Sequence, residues 1–433
     1  MKKNLFLASL LLICMNIVSA QQQIITTDIK NFWQAYDQIK LSTDSARQID
    51  LINQLYIQKG TPGLKALMRV RNYHAQGFVY AIKNYPKFWA SVRNNTLKAD
   101  GYAKEIEKAM VLLRKLYPEL KPASIYFSIG ALRTGGTTLA NKVLIGSEIS
   151  MADEQTNTEE IQKDFPHLPS FFKTRPIGGL VFTNTHEYVH TQQKSTIGNT
   201  LLAQVVIEGV AELLAEKSLK AASPNPQIAF GKVNDAQIKV AFEKEMFSSS
   251  MANWLYNSLA NQFKMRDLGY YVGYAICEQF YNQSKNKKAA IKEMIELDYN
   301  KEEELVAFVE KSKYFAKPLA VYKEAFEKSR PQVIGIKEFE NNSQNVNVNT
   351  KTVTLYFSQP MNVNYRGFDY GPTGEKNVLM VQKVLGFSED KKSFSYEVKL
   401  EPNRHYQSVV TERFRNEAGI PLKAYLINFK TAE

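Results

Sequence analysis

From Thr27 to about Leu120 apolar residues recur three and four positions apart, as in Phe32, Trp33 and Tyr36 or Ile106, Met110 and Leu113, with polar residues between them. That spacing predicts a helical lead-in, because one face of a 3.6-residue helix collects these positions. The texture changes at Ala123. Ile125 to Ile129 and Lys142 to Gly146 are short apolar runs separated by the turn-forming pair Gly135-Gly136, which predicts a small sheet. Helical periodicity returns near Gly178 and runs, with breaks at Ala222-Ser223-Pro224 and around Ser284, to Ser329. From Pro331 onward apolar and polar positions alternate, as in Val353-Thr354-Leu355-Tyr356-Phe357 and Phe394-Ser395-Tyr396-Glu397-Val398. A period of two predicts an all-β region of sandwich size, with the Asn-rich stretch from Asn341 to Thr350 as its first loop. The expected class is therefore α+β, with a mainly helical domain carrying a small sheet over residues 21–329 and a β-sandwich over residues 330–433. No short-period repeat is present, which excludes a solenoid or propeller.

The first twenty residues belong to neither domain. Lys2 and Lys3 precede an apolar run from Leu5 to Val18, and Val18-Ser19-Ala20 supplies a small-residue cleavage site, so residues 1–20 read as an export signal. The run is shorter than the roughly 20 apolar residues of a spanning helix, and no later stretch approaches that length. The expected product is periplasmic or secreted. Cys14 raises the question of a lipid anchor, but Ile13 stands where lipoprotein signals carry a small residue. Cleavage leaves Cys277 as the sole thiol, in an apolar helical run where a buried, unreactive Cys is expected and no disulfide contributes.

The chain of 433 residues, 44% of them hydrophobic, has material for two cores. Its formal charge of +12 is spread along helices as lysines and not gathered into an arginine-rich patch. That distribution argues against nucleic acid as a partner and leaves room for association with an acidic envelope surface.

The chemistry is carried by His186-Glu187-Tyr188-Val189-His190. Two histidines four apart on a helix project from one face and can bind one Zn²⁺, with a glutamate beside them as general base. A third ligand must come from a neighbouring helix. Glu208 and Glu212, eighteen and twenty-two residues beyond His190, are the candidates. Glu208 is the expected ligand: it lies among apolar residues where an unpartnered carboxylate is costly, and Gly209 after it permits close helix approach. Glu212, one turn on, either holds a ligand histidine through its second ring nitrogen or belongs with Glu216 and Lys217 to an exposed charged stripe. Three ligands leave the fourth position for water, whose proton Glu187 would take and later pass to a leaving amine. Tyr270 and Tyr271 in the Leu268–Tyr274 block, with Tyr274 beside them, are candidates for steadying the oxyanion; their alternative is a place in the core. His74, His167 and His405 are read as incidental.

The HExxH motif followed by Glu208-Gly209-Val210-Ala211-Glu212 resembles the gluzincin peptidases, among them aminopeptidase N and thermolysin. In those families a glutamate in the Glu208 position is the third zinc ligand, and in thermolysin an acid four residues later supports a histidine, the position of Glu212 here. Over roughly residues 50–297 the chain is similar to predicted zinc proteases related to the gliding-motility lipoprotein family. No Gly-x-Met-Glu-Asn segment is present to bind a free amino terminus, which separates the chain from the aminopeptidases. The last hundred residues resemble a bacterial Ig-like domain of surface-layer proteins, on Leu355 to Asn362 and Leu400 to Tyr406. The resemblance implies a zincin-like metallopeptidase domain, peptide or protein substrates, a Zn²⁺ cofactor and a spacer or binding module. The strand near Val143 is expected to be an edge able to pair with an extended peptide. The rival expectation is a non-enzymatic envelope binding or assembly protein that keeps a zincin scaffold.

Overall fold

A computed structural model describes residues 23–257 and 261–433, so the expected export signal lies outside the described residues. Two units emerge from the contacts, one made of described residues 23–111 with 119–191 and the other of 112–118 with the described residues of 192–433.

The first unit opens with β1 (Gln23–Ile25), followed by α1 (Thr27–Lys40), α2 (Ser45–Ile52), α3 (Pro62–Arg71), α4 (Ala75–Asn84), α5 (Pro86–Thr96) and α6 (Ala99–Leu116). Local chemistry sets several of these starts. Asp44 accepts from Ala46 N at the head of α2, Thr61 precedes Pro62 in α3, and His74 Nδ1 accepts from Gly77 N at the head of α4. His74 is thus a helix cap. The apolar face of α1 buries Phe32, Trp33 and Tyr36 against Trp89, with ring centroids 5.0 Å apart for Phe32 and Trp89. Both indoles find acceptors, Trp33 at Thr96 Oγ1 (2.9 Å) and Trp89 at Ala81 O (3.0 Å). The buried carboxylate of Asp28 accepts from Thr61 N, Thr61 Oγ1 and Ser128 Oγ, tying α1 to the start of α3 and to the sheet.

The sheet is formed by β2 (Ser124–Ser128), β3 (Gly136–Leu139) and β4 (Lys142–Gly146) with β1, in the order β1-β2-β4-β3. β1 and β4 run parallel to β2, while β3 is antiparallel to β4. This corrects the expected edge. β4, which contains Val143, is paired on both sides and its residues 143–146 are buried, as suits a continuous apolar run. The open edge beside it belongs to β3, a Gly/Thr strand whose weak apolar pattern hid it within the expected turn. After β4 come α7 (Ser147–Ser150), α8 (Leu168–Phe172) and α9 (Leu180–His190).

The second unit contains α10 (Leu201–Leu219), α11 (Pro226–Phe242), α12 (Leu268–Gln283), α13 (Lys287–Glu296), α14 (Glu302–Ser312) and α15 (Leu319–Ser329). α10 and α12 meet backbone to backbone. A Cβ on Gly273 would fall 1.6 Å from Val205 O, and one on Gly209 would fall 2.0 Å from Gly273 C, so only glycine fits at this crossing. Between α11 and α12 the expected helical periodicity gives way to irregular chain, where Ser248, Ser250, Asn257 and Asn261 turn their side chains onto nearby backbone groups.

Strands begin at Val333, and β5 (Val333–Ile336), β6 (Thr352–Phe357), β8 (Lys383–Phe387) and β9 (Ser393–Glu397) form a sheet in the order β5-β6-β9-β8. β7 (Phe368–Asp369), β10 (His405–Val410) and β11 (Tyr425–Lys430) form a second, and every pairing in both is antiparallel. Val353, Leu355 and Phe357 point inward from β6 as the alternation predicts and share a core with Phe394, Tyr396, Phe414 and Phe429. His405 is spent on Asn428 Oδ1 at 2.6 Å. The helical and strand proportions make the chain α+β. No helix among the described residues is long and apolar enough to cross a membrane.

Candidate metal centre

α9 contains few strong helix formers, and burial holds it: Leu180, Phe182, Tyr188 and Val189 are all enclosed. Tyr188, between the two histidines, points away from them. Its hydroxyl donates to Lys121 O (3.1 Å) and accepts from Ala123 N (2.8 Å), fastening the helix to the segment that leads into β2. Thr191 Oγ1 donates to Tyr188 O and closes the last turn. The spacing of four then brings His186 and His190 together, with Nε2 atoms 3.1 Å apart and rings at 84°.

His186, His190 and Glu208 form a cluster in which one ligand atom from each lies within 4.8 Å of the others. All three are buried, at 6%, 7% and 5% exposure. Among the described residues this is the only group of three His, Cys, Asp or Glu side chains placed to hold a metal. Two imidazoles and a carboxylate are a zinc donor set, and bonds of about 2.0–2.2 Å in a tetrahedron put ligand atoms roughly 3.3–3.6 Å apart, a spacing that falls inside the 4.8 Å limit of the cluster. The site is compatible with zinc.

Glu208 sits on α10, which is buried on every side through its middle. Its Oε1 accepts from Gln204 Nε2 (3.1 Å) and from the Tyr256 hydroxyl (2.9 Å). Tyr256 was not foreshadowed by any pattern: it is an aromatic within the Ser- and Asn-rich irregular chain, 63% exposed and at φ +57°.

Glu212 is fully buried, which removes the exposed-stripe reading for it. Its carboxylate accepts from Ser223 Oγ and from Asn225 Nδ2 at 2.9 and 3.1 Å. Glu216 and Lys217 are not an exposed stripe either. Their side chains, 15% and 27% exposed, join Glu278, Lys232 and the Tyr274 hydroxyl in a half-buried charged network.

Glu187 is half-buried beside the histidines. Thr138 Oγ1 on β3 lies 2.8 Å from Glu187 Oε2 and 3.1 Å from Glu187 O. Of the expected tyrosines, Tyr271 gives its hydroxyl to Asp235 Oδ1 (2.8 Å), an oxygen that also receives Tyr314. Burial and that carboxylate push the Tyr271 phenol far up. Tyr270 is half-buried in the first turn of α12. Cys277 is buried, and burial pushes its thiol well up, as expected for an inert core cysteine.

The family profile described as "Predicted Zn-dependent protease (DUF2268)" matches residues 179–301, a span that contains all three residues of the cluster and Glu187. No curated protein matches the chain. Among solved structures, the N-terminal part of the bacterial S-layer protein SbsC aligns at 12% identity and a TM-score of 0.18, over 93% of this chain and 71% of that one. A structure of domains 1–6 of SbsC aligns at 13% identity and the same TM-score, over 94% and 46%. Scores this low carry no structural argument. The profile match and the buried cluster together support a zinc protease family.

Proposed function

We propose that the chain is an exported zinc-dependent peptidase of the gluzincin type, its ligands His186, His190 and Glu208 and its general base Glu187. The observation that carries this is the buried two-histidine, one-glutamate cluster with a second glutamate beside it. When bound, zinc lowers the pKa of a coordinated water to about 7 and polarises the scissile carbonyl. Glu187 takes the proton released and returns it to the leaving amine. Gln204 orients Glu208 through Oε1, and Glu212, pinned by Ser223 and Asn225, is proposed to steady a ligand histidine. Tyr256, whose hydroxyl reaches Glu208, is the phenol proposed to donate to the oxyanion; of the earlier pair, Tyr270 takes second place and Tyr271 is committed to Asp235. A strained left-handed backbone at Tyr256 fits a side chain held for its chemistry.

Substrate is proposed to bind as a strand on β3. Gly146 N donates to Gly135 O, so the alternation of the antiparallel ladder turns the backbone groups of Gly136 and Thr138 to the open side, where Gly136 O already accepts from Thr134 Oγ1 (2.8 Å). An extended peptide can add there beside Glu187. The two-sheet region after Val333, proposed as Ig-like, serves as a spacer or envelope-contact module.

The test is direct. Purified mature protein should hold one zinc per chain and cleave a mixed peptide library; a chelator should abolish cleavage and added zinc restore it. Glu187→Gln should keep the zinc and lose roughly 1000-fold or more in kcat. Full zinc loading with no cleavage of any peptide would instead favour an assembly protein on a retained scaffold.

A further inference from the structure

We infer that strand β3 assigns the two carboxylate oxygens of Glu187 to different tasks, with Thr138 holding Oε2 in place and Gly136 leaving Oε1 uncovered for proton transfer. The inference rests on the peptidase reading for its kinetic consequences, but the arrangement itself is a matter of geometry.

Thr138 and Gly136 are two apart on an extended strand, so they share the face turned toward α9. Thr138 Oγ1 is nearer to Oε2 (2.8 Å) than to the backbone oxygen of the same residue (3.1 Å). Its single proton therefore favours the carboxylate, and a hydroxyl fixed on a sheet restricts rotation of a group that otherwise turns freely about its last torsion. At Gly136 a Cβ would stand 3.7 Å from Oε1 and 3.9 Å from Glu187 Cγ. That is ordinary contact, so one methyl fits, whereas the γ-methyls of a β-branched residue would reach the space over Oε1. Gly136 has no positive φ, so substitution there tests this space without backbone strain.

The same two residues turn their backbone groups to the open side of the sheet, where a peptide would pair. Docking of substrate on β3 and alignment of the base thus depend on one short segment. The Thr138 side chain is a positioning group: it acts through Glu187 and not on the substrate.

Three variants separate the roles: Thr138→Val, Thr138→Ser and Gly136→Val. Thr138→Val keeps the shape and removes the hydroxyl; kcat should fall about 10- to 100-fold with KM within about twofold and zinc at one per chain. Thr138→Ser should recover kcat to within about threefold of wild type. Gly136→Val should lose about 10-fold or more in kcat with zinc retained. Crystal structures of the zinc-free proteins give a readout independent of turnover: the Glu187 carboxylate should hold one orientation in wild type and lose it in Thr138→Val. An active wild type whose Thr138→Val variant keeps both kcat and carboxylate orientation overturns the inference. If the wild type cleaves no peptide, the peptidase reading fails, and the carboxylate orientation alone decides whether Thr138 positions Glu187.

Discussion

At the scale of single residues, the grouping of His186, His190 and Glu208 was legible because it is tied to spacing and local burial: two imidazoles one turn apart, and a carboxylate in an apolar helix beside a glycine. Tyr256 was not legible, since its approach to Glu208 depends on how an irregular segment returns to the head of α10. There Leu201 N and Leu202 N donate to Ser248 O and Met246 O. Loss of its hydroxyl in Tyr256→Phe should lower kcat by about 100-fold, as expected for one oxyanion donor, while Tyr271→Phe, which breaks only the bond to Asp235, should leave kcat unchanged and cost about 1 kcal/mol of stability. Steady-state kinetics and urea melts of the two variants distinguish the assignments, and equal kcat in both would remove Tyr256 from the mechanism. Glu148 gives a second residue-level prediction. It is fully buried, accepts from Gly130 N (2.8 Å) and Leu132 N (3.0 Å), and burial pushes its carboxyl from the usual 4.5 up to about 7. The raised value means the folded state keeps a proton that the unfolded chain releases first. Its contribution is therefore complete below about pH 4.5 and is lost as pH rises toward 7, by roughly 3 kcal/mol at most. Urea unfolding at pH 5 and pH 7.5 should show this decline in wild type and a smaller one in Glu148→Gln.

At the scale of elements, helices and apolar strands were legible from their periods, and the strand that matters most for the site was not. β3 reads Gly-Thr-Thr-Leu, with too little apolar pattern to announce a strand, and only pairing with β4 makes it one. The same limit applies to α10 and α12. Gly209 suggested a close crossing, but its partner Gly273 and the contact with Val205 O are tertiary facts. Gly273→Ala should force the helices apart, at a cost of about 3 kcal/mol or more. Because Glu208 precedes Gly209, the shift should also weaken zinc binding by about 10- to 100-fold. Gly101→Ala is the control: nothing lies within 4 Å of a Cβ there, so in α6 the change should stabilise by about 0.5–1 kcal/mol. Calorimetry and competitive zinc titration read both effects, and a Gly273→Ala protein with unaltered zinc affinity would detach the crossing from the metal centre.

At the scale of the whole molecule, the passage from helices to strands was legible to within a few residues, since α15 ends at Ser329 and β5 begins at Val333. How strongly the β region is joined to the helices before it was not. The contacts group residues 192–433 as one unit, and Arg330 explains much of that grouping. Its guanidinium, on a side chain 12% exposed, donates to Glu327 Oε1 (3.1 Å) at the end of α15, to Glu412 Oε1 (2.6 Å), and to the carbonyls of Pro421 and Leu422 in the β region. Glu412 is in turn bound by Ser249 Oγ from the irregular chain before α12. A sequence reader sees one arginine at a domain border, where a solvated linker residue is the ordinary expectation, because none of its four partners but Glu327 is near it in sequence. Truncation in Arg330→Ala leaves two carbonyls and Glu412 Oε1 without their arginine donor, a loss of about 2–4 kcal/mol. The form of the loss is more informative than its size. If Arg330 couples the helices to the sheets, wild type should unfold this unit in one cooperative step and Arg330→Ala should show an added early transition, with a lower urea m-value for each step. A single transition shifted to lower urea with unchanged m would mean that the apolar contacts alone keep the two parts cooperative.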